Sequence, residues 1–217
     1  MTSLPARDPL DDHLLTPQNA ALVLIDYQDA QINSIPQDPE TYVPNVVALA
    51  KVARLFGLPV VLSTVQHRNG VNGDTIPQLR EQLPNVPTYD RTSINAWEDA
   101  DFVQAVRATG RQKLIMGALW TEVCLTFPVL DAIREGFEVY PVMDAVAGTS
   151  QVAHESALQR MLQAGAHAVS WISVMCELQR DWNRAETATG MIRIAVERGG
   201  SFGTELAVKL DRSSAAA

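Results

Sequence analysis

The sequence predicts an α/β protein built on a parallel sheet. Three observations carry this reading. Short apolar runs without strict alternation recur along the chain, as strands covered on both faces require. Between them lie stretches with apolar residues at three- and four-residue spacing. The two patterns alternate through most of the 217 residues, and such alternation indicates right-handed crossovers with helices on both faces of the sheet.

Taken in order, Ala20 to Ile25 is the first run, continuous and rich in branched residues. Val43 to Phe56 follows as a helix, with Val43, Val46, Val47, Ala50 and Ala53 on one face and Gly57 and Pro59 as its stop. Pro59 to Thr64 is the second strand, and Val86 to Tyr89 is a weaker one. Trp97 to Ala108 is helical and ends before Gly110. Lys113 to Trp120 is the next strand, followed by a helix from Thr121 to Glu135 that stops at Gly136. Phe137 to Met143 is a strand. Ser150 to Ala164 is a helix, with Ser150 as its cap and Gly165 as its end. Ala166 to Trp171 reads as a further strand and Leu178 to Glu197 as a final helix, weakened by Gly190. Gly199 to Gly203 reads as a turn, and Asp211 to Ala217 as a frayed tail.

Composition narrows the function. Asp plus Glu is 25 and Lys plus Arg is 17, a net charge of -8. There is no dense basic run, so nucleic acid is not an expected partner. A chain of this size in one domain buries roughly 70% of its unfolded surface and needs no staple. We therefore expect a single domain over 1–217, with an N-terminal extension over 1–17 and a C-terminal tail over 200–217. The amino terminus lacks the blocks of a signal peptide, and no apolar run reaches the ~18 residues of a membrane span. With only two cysteines, Cys124 and Cys176, a reducing, cytoplasmic setting is the simplest expectation.

Ligands of open α/β sheets bind beyond the carboxyl ends of the strands. That filter selects Asp26 after the first strand, Arg91 after the weak strand, Cys124 just past the strand that begins at Lys113, and Asp144. A thiol near a helix start is expected to have a lowered pKa and to suit covalent catalysis. Asp26 ends an apolar strand, where a carboxylate needs a partner, and serves as general base or orienting anion. Asp144 and Cys176 read as structural. His13, His67, His154 and His167 are scattered, and no phosphate-loop or dinucleotide motif occurs.

The order aspartate, cation, thiol resembles the isochorismatase-like cysteine hydrolases, and within them the YcaC-like branch. The residues that carry the resemblance are Leu24-Ile25-Asp26-Tyr27-Gln28, Arg91 to Trp97, and Ala118-Leu119-Trp120-Thr121-Glu122-Val123-Cys124. Asp144-Ala145, His154 to Ala157 and Cys176 to Trp182 agree with it. The resemblance implies a three-layer α/β/α sandwich with a mainly parallel, Rossmann-like sheet. It implies a catalytic triad of Cys124, Asp26 and Arg91, an oxyanion hole from the backbone N–H groups of Trp120 and Cys124, and a cis peptide at Leu119–Trp120. Most of the family has lysine where this chain has Arg91. Arginine keeps its charge but cannot donate a proton at ordinary pH. His67 alone does not make the metal site of nicotinamidases, so no metal and no cofactor is expected.

The reading that follows is a metal-independent cysteine hydrolase of a small amide or other carbonyl substrate, working through a Cys thioester. Gln28, Asn95 and Thr121 are its expected polar substrate contacts, and Trp97 and Trp120 its apolar walls. The alternative is a catalytically weak, oligomeric scaffold or small-ligand binder of the same fold. Either way a homo-oligomer is expected.

Overall fold

Six apolar residues in a row make the central strand β1, Ala20–Ile25, and all six are buried. Both faces of the strand are covered. Ala20, Leu22 and Leu24 join one hydrophobic cluster, and Ala21, Val23 and Ile25 join another. The alternation along one strand thus feeds two cores, which is why no polar residue interrupts it. The computed structural model describes residues 7–215, with side chains as far as residue 208.

Four further strands flank β1: β2 (Val60–Val65), β3 (Thr88–Arg91), β4 (Lys113–Ala118) and β5 (Glu138–Pro141). The order across the sheet is β3-β2-β1-β4-β5, and every pair is parallel. The chain winds outward from β1 to β3 and then restarts on the other side of β1. The carboxyl ends of β1 and β4 therefore flank the topological switch point.

In chain order the helices are α1 (Asp29–Asn33), α2 (Val43–Phe56), α3 (Pro77–Arg80), α4 (Ala100–Ala108), α5 (Thr126–Arg134), α6 (Gln151–Gln163), α7 (Trp171–Gln179), α8 (Ala185–Arg198) and α9 (Gly200–Ala215). Leu49 of α2, Val174 of α7 and Ile194 of α8 pack in the cluster of Leu22 and Leu24. Phe102 of α4, Val129 of α5 and Met161 of α6 pack in the cluster of Val23 and Ile25. This is the expected three-layer sandwich. Among the described residues, no helix is long and apolar enough to cross a membrane.

The structure departs from the sequence reading in identifiable places. Strand β3 falls two residues later than expected, so Arg91 is its last residue. Ala166 to Trp171 is not a strand. His167 and Val169 donate to the carbonyls of Val139 and Pro141 beside β5, but only one bridge, Val142 with Val169, forms. Ser170 and Ser173 then make a reciprocal capping box that starts α7 at Trp171. The expected single helix from Leu178 to Glu197 is two, α7 and α8, broken at Arg180, whose φ is +60°. Gly190 sits inside α8 without breaking it. The expected turn at Gly199 to Gly203 is instead the junction of α8 with α9, a helix that runs on to Ala215. The helix expected from Trp97 is a 3-10 turn, Ala96–Glu98, capped by Asn95, followed by α4 under its own cap Asp99.

Candidate active site

Asp26 follows β1 directly and has a φ of +61°, a left-handed conformation that costs a non-glycine residue about 1–3 kcal/mol. Two hydrogen bonds hold it there. Its N–H donates to the Ser63 carbonyl at 3.0 Å, and its own carbonyl accepts from the Gln28 N–H at 2.8 Å. The result is a carboxylate turned in at the end of the central strand and wholly buried.

Arg91 meets it as a fork. Nη1 donates to Oδ1 and Nη2 to Oδ2, both at 2.7 Å. Nη1 also reaches Ser63 Oγ at 3.0 Å and the Thr64 carbonyl at 3.1 Å, and Nη2 reaches the Ile94 carbonyl at 3.3 Å. Both side chains of the pair are 0% exposed. A buried ion pair of this kind stands only because its hydrogen bonds replace lost solvation.

Cys124 arrives from β4. Leu119–Trp120 is a cis peptide, and the chain then winds through one π-helical turn, Thr121–Leu125, before α5 begins. Thr121 is the first residue of this turn, and no side chain caps it. The Cys124 thiol lies beside Asp26 and the Trp120 backbone N–H, close enough for both to act on it. Cysteine, carboxylate and guanidinium therefore form one continuous line, with Asp26 in the middle.

The electrostatics correct one expectation. Burial pushes the Cys124 thiol up, the negative charge of Asp26 pushes the same way, and Arg91 and the Trp120 N–H only partly oppose them. The resting sulfur is a thiol and not the thiolate expected of a helix start, because the turn is buried. Asp26 is also raised, by burial first, against the pull of Arg91 and Cys124. Burial works against the Arg91 charge, but Asp26 more than offsets it and its pKa lies above the ordinary arginine value.

The expected substrate contacts make the following bonds within the protein. Gln28 is buried, with its amide committed to the backbone: Oε1 accepts from the Val65 N–H, and Nε2 donates to the carbonyls of Val65 and Gly73. Asn95 caps the 3-10 turn at Trp97 N–H and donates to Asp131. Trp97 packs edge-on against Phe102 and Phe137. Phe137 precedes β5, so the indole lies toward the amino edge of the sheet, away from Asp26. Trp120 ties its indole N–H to Ser34 Oγ at 2.7 Å. Thr121 is buried, its hydroxyl 2.9 Å from His154 Nδ1. Asp144 is structural as expected, accepting from the Trp171 N–H at the start of α7.

Sequence reasoning missed Ser63 and Asp90. Ser63 holds the Arg91 fork while donating to the Tyr89 carbonyl. Asp90 collects the Thr64 hydroxyl and the N–H groups of His67 and Arg68. The signal for Ser63 was its polarity, shared with Thr64, after three apolar residues of the strand.

The fold is a three-layer α/β sandwich with Asp26, Arg91 and Cys124 buried together at its switch point. The comparisons narrow the class. Residues 20–173 match the isochorismatase domain. The chain is 42% identical over 170 residues to the probable hydrolase YcaC of Escherichia coli, covering 77% of this chain and 81% of that protein. Its fold matches the crystal structure of Escherichia coli YcaC, an octameric hydrolase of unknown specificity, with a TM-score of 0.85 at 37% identity, over 93% of this chain and 98% of that one. It matches YcaC of Pseudomonas aeruginosa, solved with hexane-2,5-diol and covalent acrylamide, with a TM-score of 0.84 at 37% identity, over 90% and 96%. The chain belongs to the isochorismatase family of hydrolases, on its YcaC branch.

Proposed function

We propose that this chain is a metal-independent cysteine hydrolase acting on a small amide or related carbonyl compound through a Cys124 thioester. One observation carries the reading: a buried thiol beside a carboxylate that is itself held by a charged fork, with a backbone N–H close to the sulfur. The Pseudomonas relative with covalent acrylamide supports it, since acrylamide presents an amide beside an electrophilic carbon.

The chemistry follows from the arrangement. The substrate carbonyl oxygen lies against the N–H groups of Trp120 and Cys124. As Sγ attacks the carbonyl carbon, Asp26 takes the thiol proton, so no free thiolate has to exist beforehand. Asp26 is suited to hold that proton because burial already favours its neutral form. It passes the proton to the leaving nitrogen, and the C–N bond breaks to leave the thioester. Water, deprotonated by Asp26, then releases the acid and restores the thiol. Arg91 keeps its charge throughout and fixes the carboxylate in place. We assign Gln28, Asn95 and Thr121 to support of this frame, and Trp97 to packing against Phe102 and Phe137. Like the octameric relative, the chain is proposed to act as a homo-oligomer.

The test is a panel of small amides and esters. Cys124→Ala is expected to lower turnover by at least ~10³ and Asp26→Asn by at least ~10². Arg91→Lys should lower kcat without abolishing it. Turnover that survives in Cys124→Ala would remove the thioester. No turnover in the wild type on any member would favour the ligand-binding alternative.

A further inference from the structure

Outside the Cys-Asp-Arg line, one titratable cluster grips the turn that carries the nucleophile. We propose that His154 is a positioning residue, which sets the Trp120 and Cys124 backbone through Thr121. This rests on the hydrolase reading above, which assigns no part to His154.

Thr121 is wholly buried, and among the described residues its hydroxyl has one hydrogen-bond partner, His154 Nδ1 at 2.9 Å. A buried hydroxyl needs an acceptor for its proton. The imidazole supplies it when neutral and protonated at Nε2. Burial depresses the His154 pKa against the pull of Glu122 and Glu155, so the ring is neutral at neutral pH. The rest of Thr121 is equally fixed. Its N–H donates to the Ala147 carbonyl at 3.0 Å, and its carbonyl accepts from the Thr126 hydroxyl at 2.7 Å.

The neighbouring residue repeats the grip. Glu122 Oε1 accepts from both the N–H and the hydroxyl of Thr149. Its Oε2 is buried without a partner among the described residues. It lies where a side chain at 148 would stand: a Cβ on Gly148 would come within 2.5 Å of it and within 3.1 Å of the His154 Cβ. Residues 147–154 thus close on the π turn with no room to spare. Thr121 lies between Trp120 and Cys124, the two residues whose N–H groups face the developing oxyanion. A misplacement of such donors by a fraction of an ångström weakens them selectively in the transition state.

Two thiol reagents separate positioning from simple scaffolding. Acrylamide carries a carbonyl that uses the oxyanion donors; methyl methanethiosulfonate carries none. Their rates of capture at Cys124 are read by peptide mass spectrometry. In His154→Ala, acrylamide capture is expected to fall about tenfold or more, while methyl methanethiosulfonate capture changes less than about threefold. His154→Asn, whose amide oxygen can take the Thr121 proton near the Nδ1 position, should recover most of the acrylamide rate. Thr121→Val should match His154→Ala, and the double variant should lose no more than either single one, because one hydrogen bond is being removed twice. Equal loss with both reagents, additive losses in the double variant, or an unchanged acrylamide rate in His154→Ala and Thr121→Val would overturn the positioning role. Were His154→Ala to fail to fold, Thr121→Val and His154→Asn would decide between the same outcomes. A wild type in which acrylamide never reaches Cys124 would instead sink the hydrolase reading, and the positioning role with it.

Discussion

A guanidinium that meets a carboxylate through two hydrogen bonds of 2.7 Å orients it as well as charging it. A lysine would supply the charge from one point. Arg91 was legible in the sequence as a cation beyond a strand, but its fork was not, because the fork depends on Ser63 and the Thr64 carbonyl of β2 converging with the Ile94 carbonyl of the loop after β3. The thiol was read as easily ionised, and that failed because the sequence does not show how deeply the turn is buried. A measurable consequence follows. The folded thiol stays neutral above the ordinary cysteine value of 9.0, whereas the unfolded thiol ionises there. The native state then holds more protons than the unfolded one, so stability falls as pH rises past about 9. The wild type should show a negative slope of unfolding free energy there, approaching ~1.4 kcal/mol per pH unit, and Cys124→Ala a shallower one. Equal slopes in urea titrations at pH 8 to 10 would contradict the buried-thiol assignment.

Among the elements, β1 and β2 were legible from their apolar runs, and α2 and α6 from period and cap. These strands and helices succeed because burial on a fixed face imposes its own spacing. The failures share a cause: short-range hydrogen bonding outweighed apolar pattern. The Ser170 and Ser173 box starts α7 at the last residue of an expected strand, and the caps at Asn95 and Asp99 split an expected helix in two. Strand β4 shows how tightly such elements are then locked. A Cβ on its Gly117 would lie 2.6 Å from the Tyr27 hydroxyl, which donates to the Ala145 carbonyl at 2.8 Å. Gly117→Ala is expected to destabilise the fold by about 1–3 kcal/mol through overpacking, with Tyr27→Phe relieving part of the loss. Urea midpoints of the two single variants and the double variant would check this, and a neutral Gly117→Ala would refute it.

For the whole molecule, the carboxyl edge of the sheet gathers the site and also several exposed apolar side chains: Val71 after β2, Ile94 after β3 and Val152 at the start of α6, at 66%, 66% and 74% exposure. Scattered apolar residues are ordinary on a surface, but a family relative assembles as an octamer. Light scattering should return a multiple of the 23.7 kDa chain mass, as the proposed homo-oligomer requires. A monomeric mass at micromolar concentration would refute the proposed assembly.

Strand β3 ends the sheet on one side, and it is only four residues long, Thr88–Arg91. Its last two residues, Asp90 and Arg91, are charged. Short, charged edge strands resist pairing with the edges of other chains. The guanidinium of Arg91 is turned inward and buried, so the charge left at this edge is that of Asp90, the aspartate that ties the loop after β2. An apolar residue at Asp90 would release that loop and strip the charge from the edge strand in the same step.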